Sequence, residues 1–407
     1  MTASLAYPHA ILSQRVPAHI ASLRASAYVA LTLNLALGLL TGTAAAAGTA
    51  EPLRFPPGPP PAAAEEWSTA SPEEAGFASD FDARLDAALD DEVLDGLHAV
   101  LVVRGGRLVY ERYLTGDDEI WGRRKQGVAF GPDSLHDVRS NTKSVVSLLY
   151  GIALGDDTVP PPEAPVLDHF PEYADLAQDP ARRAITMQHV LSMTMGTEWD
   201  EDIPYSDPAN SEIAMNRASD SLRFVLDRPL QAQPGEAWTY NGGATAIAAA
   251  LIARRNGGDL AAFARERLFE PLGIERIEWI TDYYGVPYAA SGLRLRPRDS
   301  AKIGQLVLQK GVWEGQQVVP ADWIEASTSV HTPGGYGCDY GYFWWLCQLG
   351  TGHRMIEASG NGGQEVLILP ELDLVMVVNA GRYNDPDVFE RIYTLLEEVV
   401  IPAAGRP

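Results

Sequence analysis

The sequence predicts an α+β fold, with one sheet built from both ends of the folded region and a helical lobe inserted between them. Two β-rich runs stand near its start, four more stand in the last third, and helical spacing fills the middle. Taken in order, Ser71-Pro72-Glu73-Glu74 is a helix-start signature and Phe81 to Leu89 has amphipathic helical spacing. His98 to Val103 and Leu108 to Tyr113 are β-rich runs around Arg104-Gly105-Gly106-Arg107, which signals a hairpin. A stretch rich in charge and glycine, 114–133, reads as a loop. Beyond Ser140 the chain turns apolar, and Val145, Val146, Leu148, Leu149 and Ile152 are spaced for a helix buried on most sides. Further helices are expected over Ile185 to Met195, Ser221 to Leu226, Ala244 to Arg254, Leu260 to Phe269 and Pro297 to Gln309. Strands follow at Gly341 to Leu346, Arg354 to Ser359, Glu365 to Leu369 and Leu374 to Asn379, and Pro386 to Val400 closes the chain as a helix. No internal repeat is present.

The 407 residues are 46% hydrophobic and 21% charged, ordinary values for a globular chain long enough to bury a large core. A formal charge of -23 argues against nucleic acid and anionic membrane surfaces as partners. The first residues read as an export signal, 1–48. Arg15 and Arg24 precede an apolar run, Ala25 to Leu40, which ends in small residues including Ala44-Ala45-Ala46. That run is short of the ~20 residues a membrane span needs, so no integral span is expected after cleavage and the protein reads as exported, periplasmic or secreted. Residues 49–66 are a Pro- and Ala-rich linker, and 67–407 form the folded domain. Two cysteines exist, Cys338 and Cys347. The residues between them read as one strand, which would hold their Cα atoms roughly 30 Å apart, so no disulfide is expected.

Chemistry concentrates at Ser140-Asn141-Thr142-Lys143. At a helix start, Ser140 and Lys143 project from one face, beside unpaired backbone N–H groups and the positive end of the helix dipole. Ser-x-x-Lys is a nucleophile-and-base arrangement, because an amine drawn into an apolar setting loses its proton more easily. The bland alternative is a serine helix cap with a lysine in solvent. Two features weigh against it. Only four lysines (Lys125, Lys143, Lys302 and Lys310) stand beside twenty-seven arginines, and of the two cations lysine alone can be deprotonated in a protein. Lys143 also leads into the most apolar helix of the mature chain.

A serine–lysine pair needs a relay to the leaving group and an oxyanion hole. Tyr240 is the candidate relay, since it precedes Asn241-Gly242-Gly243, where backbone can approach a substrate closely. Ser359-Gly360-Asn361-Gly362-Gly363-Gln364 joins two strands, and its glycines would let backbone N–H groups face a ligand. Asn241, Gly360 and Gly362 are the remaining cleft candidates. There is no Cys/His cluster with metal-ligand spacing, and H-E-x-x-H, Walker A, G-x-G-x-x-G and G-x-S-x-G are all absent. No metal or organic cofactor is expected.

Three segments in this order resemble the serine β-lactamase and penicillin-binding-protein superfamily: S140-N-T-K143, P-G-E-A-W-T-Y240-N241-G242-G243 and A358-S-G360-N-G-G-Q364. Within it the chain is most similar to class C-type serine hydrolases, the group with esterases and 6-aminohexanoate-dimer hydrolases. The segments 189–200, 340–345 and 360–375 look like that group as well, and the likeness runs from about residue 67 to the end. The resemblance implies an antiparallel sheet flanked by helices with the helical lobe across a cleft. It also implies Ser140 as acylated nucleophile, Lys143 as base and Tyr240 as assistant to the leaving group, with the backbone N–H groups of Ser140 and Asn361 as oxyanion hole.

Two departures shape the expected function. The second superfamily motif is Tyr-x-Asn, yet position 242 is glycine and Asn241 follows Tyr240 directly, as in the nylon-oligomer branch. The third motif normally supplies a cation that holds a substrate carboxylate, and here Ala358 takes its place. Losing one charge-assisted contact weakens binding by about 1.5–3 kcal/mol, with His353 or Arg354 as conceivable substitutes. The expected activity is therefore hydrolysis of a small-molecule ester or amide through an acyl-enzyme. A β-lactamase or DD-peptidase is the nearer alternative, and a non-catalytic cell-wall peptide-binding protein on the same fold the more distant one.

Overall fold

The computed structural model describes residues 52–54, 67–90, 94–282 and 284–405. The expected signal peptide and most of the linker lie outside the described residues. Within the linker, Pro52–Arg54 forms a short strand antiparallel to Glu278–Ile280.

An antiparallel eight-stranded sheet carries the molecule. Its strands are β1 (Leu97–Arg104), β2 (Arg107–Tyr113), β3 (Thr332–Pro333), β4 (Asp339–Tyr340), β5 (Trp345–Gln348), β6 (Arg354–Gly360), β7 (Gln364–Leu369) and β8 (Leu374–Ala380). They lie in the order β3-β4-β5-β6-β7-β8-β1-β2. Within this sheet the first strand in sequence thus pairs with the last, with Leu101 opposite Val377 and Val103 opposite Val375. Apolar runs of Val, Leu and Ile suit β1, β7 and β8, because all of their residues are buried.

The two faces of the sheet bury different partners. Val100, Leu367, Met376 and Val378 pack against α1 (Phe81–Leu89) and the C-terminal α7 (Asp387–Leu395), through Leu85 and Ile392. Leu101, Val366, Val375 and Val377 pack the other way, against α2 (Asn141–Gly155) and α6 (Pro297–Leu308). The helical lobe, with α3 (Ser211–Arg217), α4 (Ser221–Leu226) and α5 (Gly242–Arg255), belongs to this second core through Met215, Val225 and Ile247. The expected α+β class and the inserted lobe are thus observed, and α2 lies between the sheet and the lobe.

Several expectations need correction. The loop expected over 114–133 contains a β-ribbon, Thr115–Ile120 paired with Arg123–Ala129. Most of its second strand is exposed, so no apolar alternation marked it. The helix expected over Ile185 to Met195 is confined to Met187–Leu191, with Met193 in left-handed backbone at φ 57°. The strand expected over Gly341 to Leu346 is instead a hairpin: β4 and β5 are joined by a turn at 341–344 in which Phe343 has φ 63°. That reversal overturns the cysteine expectation. Asp339 faces Leu346, which brings the flanking Cys338 and Cys347 to a Cα separation of 4.5 Å, where they form a disulfide.

Candidate active site

The site begins at the N-terminus of α2. Arg139 precedes it with φ 49°, a left-handed conformation that a residue with a Cβ adopts at a cost of about 1–2 kcal/mol. Ser140 is the N-cap residue, but its side chain caps nothing; its Oγ instead accepts a hydrogen bond from Lys143 Nζ at 3.0 Å. Lys143 does not reach solvent. It is 2% exposed, and its amine also donates to the Ala290 carbonyl at 3.0 Å. The helix start is held on either side of this pair. Thr142 Oγ1 donates to the Arg139 carbonyl (2.6 Å) and accepts from Leu293 N–H (3.1 Å), while Ser144 Oγ donates to the Phe343 carbonyl (2.7 Å). Both readings of Ser-x-x-Lys predicted a helix start, and the geometry excludes the cap-and-solvent version.

Tyr240 closes the next side. Its ring faces the Lys143 ammonium, with Nζ 4.8 Å from the centroid, and it stacks on Trp345 at 5.7 Å. Burial, with the Glu201 and Glu212 charges, drives its phenol well above the ordinary tyrosine range, and the Ser140 side chain draws it partly back. Tyr240 is therefore protonated at neutral pH.

The loop after β6 approaches from the sheet. A Cβ on Gly360 would lie 2.4 Å from the Val138 carbonyl oxygen and 3.2 Å from Arg139 Cβ, so this strand end abuts the segment leading into Ser140. The adjacent Asn361 is locked by its side chain to Asn384, accepting from the Asn384 N–H (2.7 Å) and donating to Asn384 Oδ1 (3.0 Å). The pairing anchors this loop to the segment after β8, while Gly360 beside it abuts the residues before Ser140.

The other cleft candidates have structural duties. Asn241 is buried and caps α5, accepting from the Ala244 N–H at 3.1 Å. Gly360 permits the close approach just described. Gly362 sits at φ 97° with Tyr383 2.6 Å from where a Cβ would be, so glycine is required there. Neither His353 nor Arg354 replaces the missing cation. They stand at the start of β6, whose far end is Gly360, and His353 bonds Thr351 while Arg354 bonds the Thr328 carbonyl. Ala358 itself is 2% exposed within the core.

Two carboxylates that the sequence did not single out complete the site. Glu201 Oε1 accepts from Trp199 Nε1 (2.5 Å) and from the Gly242 N–H (2.6 Å), and Oε2 accepts from the Tyr205 hydroxyl (2.9 Å). Burial and the neighbouring Glu212 charge push its carboxyl up to about 7, against the pull of Lys143. Glu212 is 2% exposed, accepts from Ser291 Oγ, and places Oε2 3.9 Å from Lys143 Nζ. A Cβ on Gly242 would lie 3.0 Å from an oxygen of each glutamate. The glycine at 242 was the available signal, since a residue lacking a side chain there leaves room for something else.

A half-buried serine bonded to a buried lysine, with a protonated tyrosine over that lysine, forms a constellation suited to acyl transfer. The Beta-lactamase family matches residues 81–399 of this chain. The chain belongs to the Beta-lactamase family. It is a serine hydrolase. Among curated relatives it is similar to a 6-aminohexanoate-dimer hydrolase of Paenarthrobacter ureafaciens, 26% identical over 71% of this chain and 73% of that protein. It is also similar to a lovastatin esterase of Penicillium rubens, 27% identical over 56% of this chain and 60% of that one. Its fold matches a penicillin-binding protein from Bacillus halodurans, with TM-score 0.57 and 15% identity over 76% of this chain and 98% of that one. A D-amino acid amidase from Ochrobactrum anthropi SV3 matches likewise, with TM-score 0.58 and 16% identity over 79% and 99% of the two chains.

Proposed function

We propose that this family member hydrolyses a small-molecule ester or linear amide through an acyl-enzyme on Ser140. The observation that carries this reading is the desolvated Lys143 amine 3.0 Å from Ser140 Oγ. Lys143 takes the Ser140 proton as Oγ bonds to the substrate carbonyl carbon. The carbonyl π electrons move onto oxygen, which the backbone N–H groups of Ser140 and Asn361 receive. As the bond to the leaving group breaks, the proton held on Lys143 passes through the Tyr240 hydroxyl to the departing oxygen or nitrogen. Water then repeats the sequence on the acyl-enzyme and releases the acid.

Named relatives support an ester or a 6-aminohexanoate-type amide as substrate. Ala358 argues against a β-lactam or a D-Ala-D-Ala peptide, because no cation stands there to hold their carboxylate. The Ala25 to Leu40 run and the Cys338–Cys347 disulfide both favour an exported protein in an oxidising compartment.

Intact mass after treatment with a fluorophosphonate serine probe, followed by digestion, tests the mechanism. A single adduct on Ser140, absent from Ser140→Ala, is expected. A protein that stays unlabelled while folded would overturn the reading.

A further inference from the structure

Glu212 Oε2 has no hydrogen-bond partner among the described residues, although its side chain is almost wholly buried. A buried carboxylate oxygen left without a donor is costly unless a charge faces it. The nearest cation is the Lys143 ammonium at 3.9 Å. Glu201 is built differently. Three donors hold it, and one of them is the backbone of Gly242, two residues beyond Tyr240. The two carboxylates converge on the empty side-chain position of Gly242, each with an oxygen 3.0 Å from where a Cβ would stand. Superfamily resemblance places an asparagine at that position. In this chain its space is lined by two acids delivered from the helical lobe.

We propose that Glu212 and Glu201 are positioning residues for proton transfer at Ser140, standing in for the missing asparagine at 242. Glu212 holds the Lys143 amine by charge, and through Ser291 it fixes the segment whose Ala290 carbonyl also receives that amine. Glu201 pins the Gly242 amide and with it the turn that presents Tyr240. The inference rests on the Ser140 acyl-enzyme reading, and it adds that the charge on this pair sets the pH at which Lys143 is available as a base.

The groups around the pair leave few other sources for such a pH effect. Tyr205 and Tyr240 feel both glutamates, Tyr288 feels Glu212, and Tyr336 and Tyr340 feel Glu201; burial raises all five phenols above the ordinary range. They stay protonated across neutrality. Asp202 is engaged by the Tyr336 hydroxyl at 3.0 Å.

The test is the pH dependence of kcat/KM for a p-nitrophenyl ester, run beside pH-dependent labelling of Ser140 by a fluorophosphonate. In Glu212→Gln the shape is kept and the negative charge removed, so an ammonium at 143 is less favoured. The acid limb of both profiles should move to lower pH by about one unit or more, the shift expected for an opposite charge at this range. Glu212→Asp, which keeps the charge, should leave the limb within about half a unit of wild type. A purely structural glutamate would lower Tm in both variants without moving the limb. Should Glu212→Gln fail to fold, Glu201→Gln is read instead, and because the Glu201 carboxyl sits near 7 its downward shift is expected in the part of the profile above about pH 7. A limb that stays put or moves upward in a folded Gln variant overturns the proposal. Absence of a Ser140 adduct in the wild type would instead strike at the underlying mechanism.

Discussion

Replacing Lys143 by arginine separates the base from the charge. The Lys143–Glu212 attraction across 3.9 Å is on the order of 4 kcal/mol at the effective dielectric suited to protein sites. Substitution by methionine would abolish it and strand a buried carboxylate, at about 3–5 kcal/mol in stability, so lost activity could be mistaken for lost fold. Arginine retains the cation for Glu212 and the donors for the Ala290 carbonyl, yet it has no lone pair to offer. Its effect therefore falls on chemistry. A positioned general base contributes about 10²–10⁴-fold, so kcat/KM for a p-nitrophenyl ester should fall by roughly three orders of magnitude, or about 4 kcal/mol in the barrier. Fluorophosphonate labelling of Ser140 should slow in parallel, while the circular dichroism spectrum stays that of wild type. A folded Lys143→Arg protein working within tenfold of the wild-type rate would refute Lys143 as base.

Other outcomes follow from the packing. Gly242→Ala introduces a methyl carbon 3.0 Å from both Glu201 and Glu212 oxygens and 3.1 Å from Ala290 Cβ. Overpacking of this kind costs about 1–3 kcal/mol, and the displaced parts are those that seat Lys143 and Tyr240, so ester hydrolysis should fall more steeply than Tm; a wild-type rate would show that the crowding is harmless. On the opposite face of the sheet, Glu357 and Glu365 are both buried, and burial raises both carboxyls, most strongly Glu365, which also feels the Glu357 charge. Their protonated forms belong to the folded state, so their contribution is fully present below the ordinary glutamate range and is lost as pH rises through the raised folded values. Glu365→Gln should therefore gain Tm relative to wild type on going from pH 5 to pH 8; a difference between the two proteins that does not change with pH would rule this out.

How much of this was legible depended on whether a residue's role was local or assembled. The Ser140–Lys143 pair was readable because helical spacing fixes which side chains share a face, and because one lysine in an arginine-rich chain stands out. The hairpin of β1 and β2 and strands β6 to β8 were readable within a residue or two: β1, β7 and β8 are buried throughout and leave apolar runs, and turn residues bound β2 and β6 beside them. The turn at 341–344 was not, because Phe343 takes a left-handed conformation where no proline or asparagine announces it. With that turn hidden, the disulfide was hidden too. Glu201 and Glu212 sit in an acidic, polar stretch where a carboxylate ordinarily faces solvent. Their role arises only when three segments, around 201, 212 and 242, meet at Lys143.

The same convergence bears on which substrates the cleft accepts. The departures at 242 and 358 both change the charge around Ser140, and they change it in one direction. Glycine at 242 admits two carboxylates, while alanine at 358 withholds a cation from the strand that would meet a bound acid. Arg139, the cation next to the nucleophile in sequence, does not compensate. Its guanidinium is held by Glu119 at 2.9 Å and Asp137 at 3.5 Å, and it lies over the Trp121 and Tyr383 rings. Around Ser140 and Lys143 stand the Glu201 and Glu212 carboxyls and the stacked rings of Tyr240 and Trp345, with Tyr336 against Trp345. An anion gains little from aromatic faces and is repelled by carboxylates. A neutral ester or amide carbonyl needs none of the missing cation, only the serine, the lysine and the two amides of the proposed oxyanion hole. The departures at 242 and 358 thus weigh against a substrate whose carboxylate must be held, and they support the neutral ester or amide proposed above.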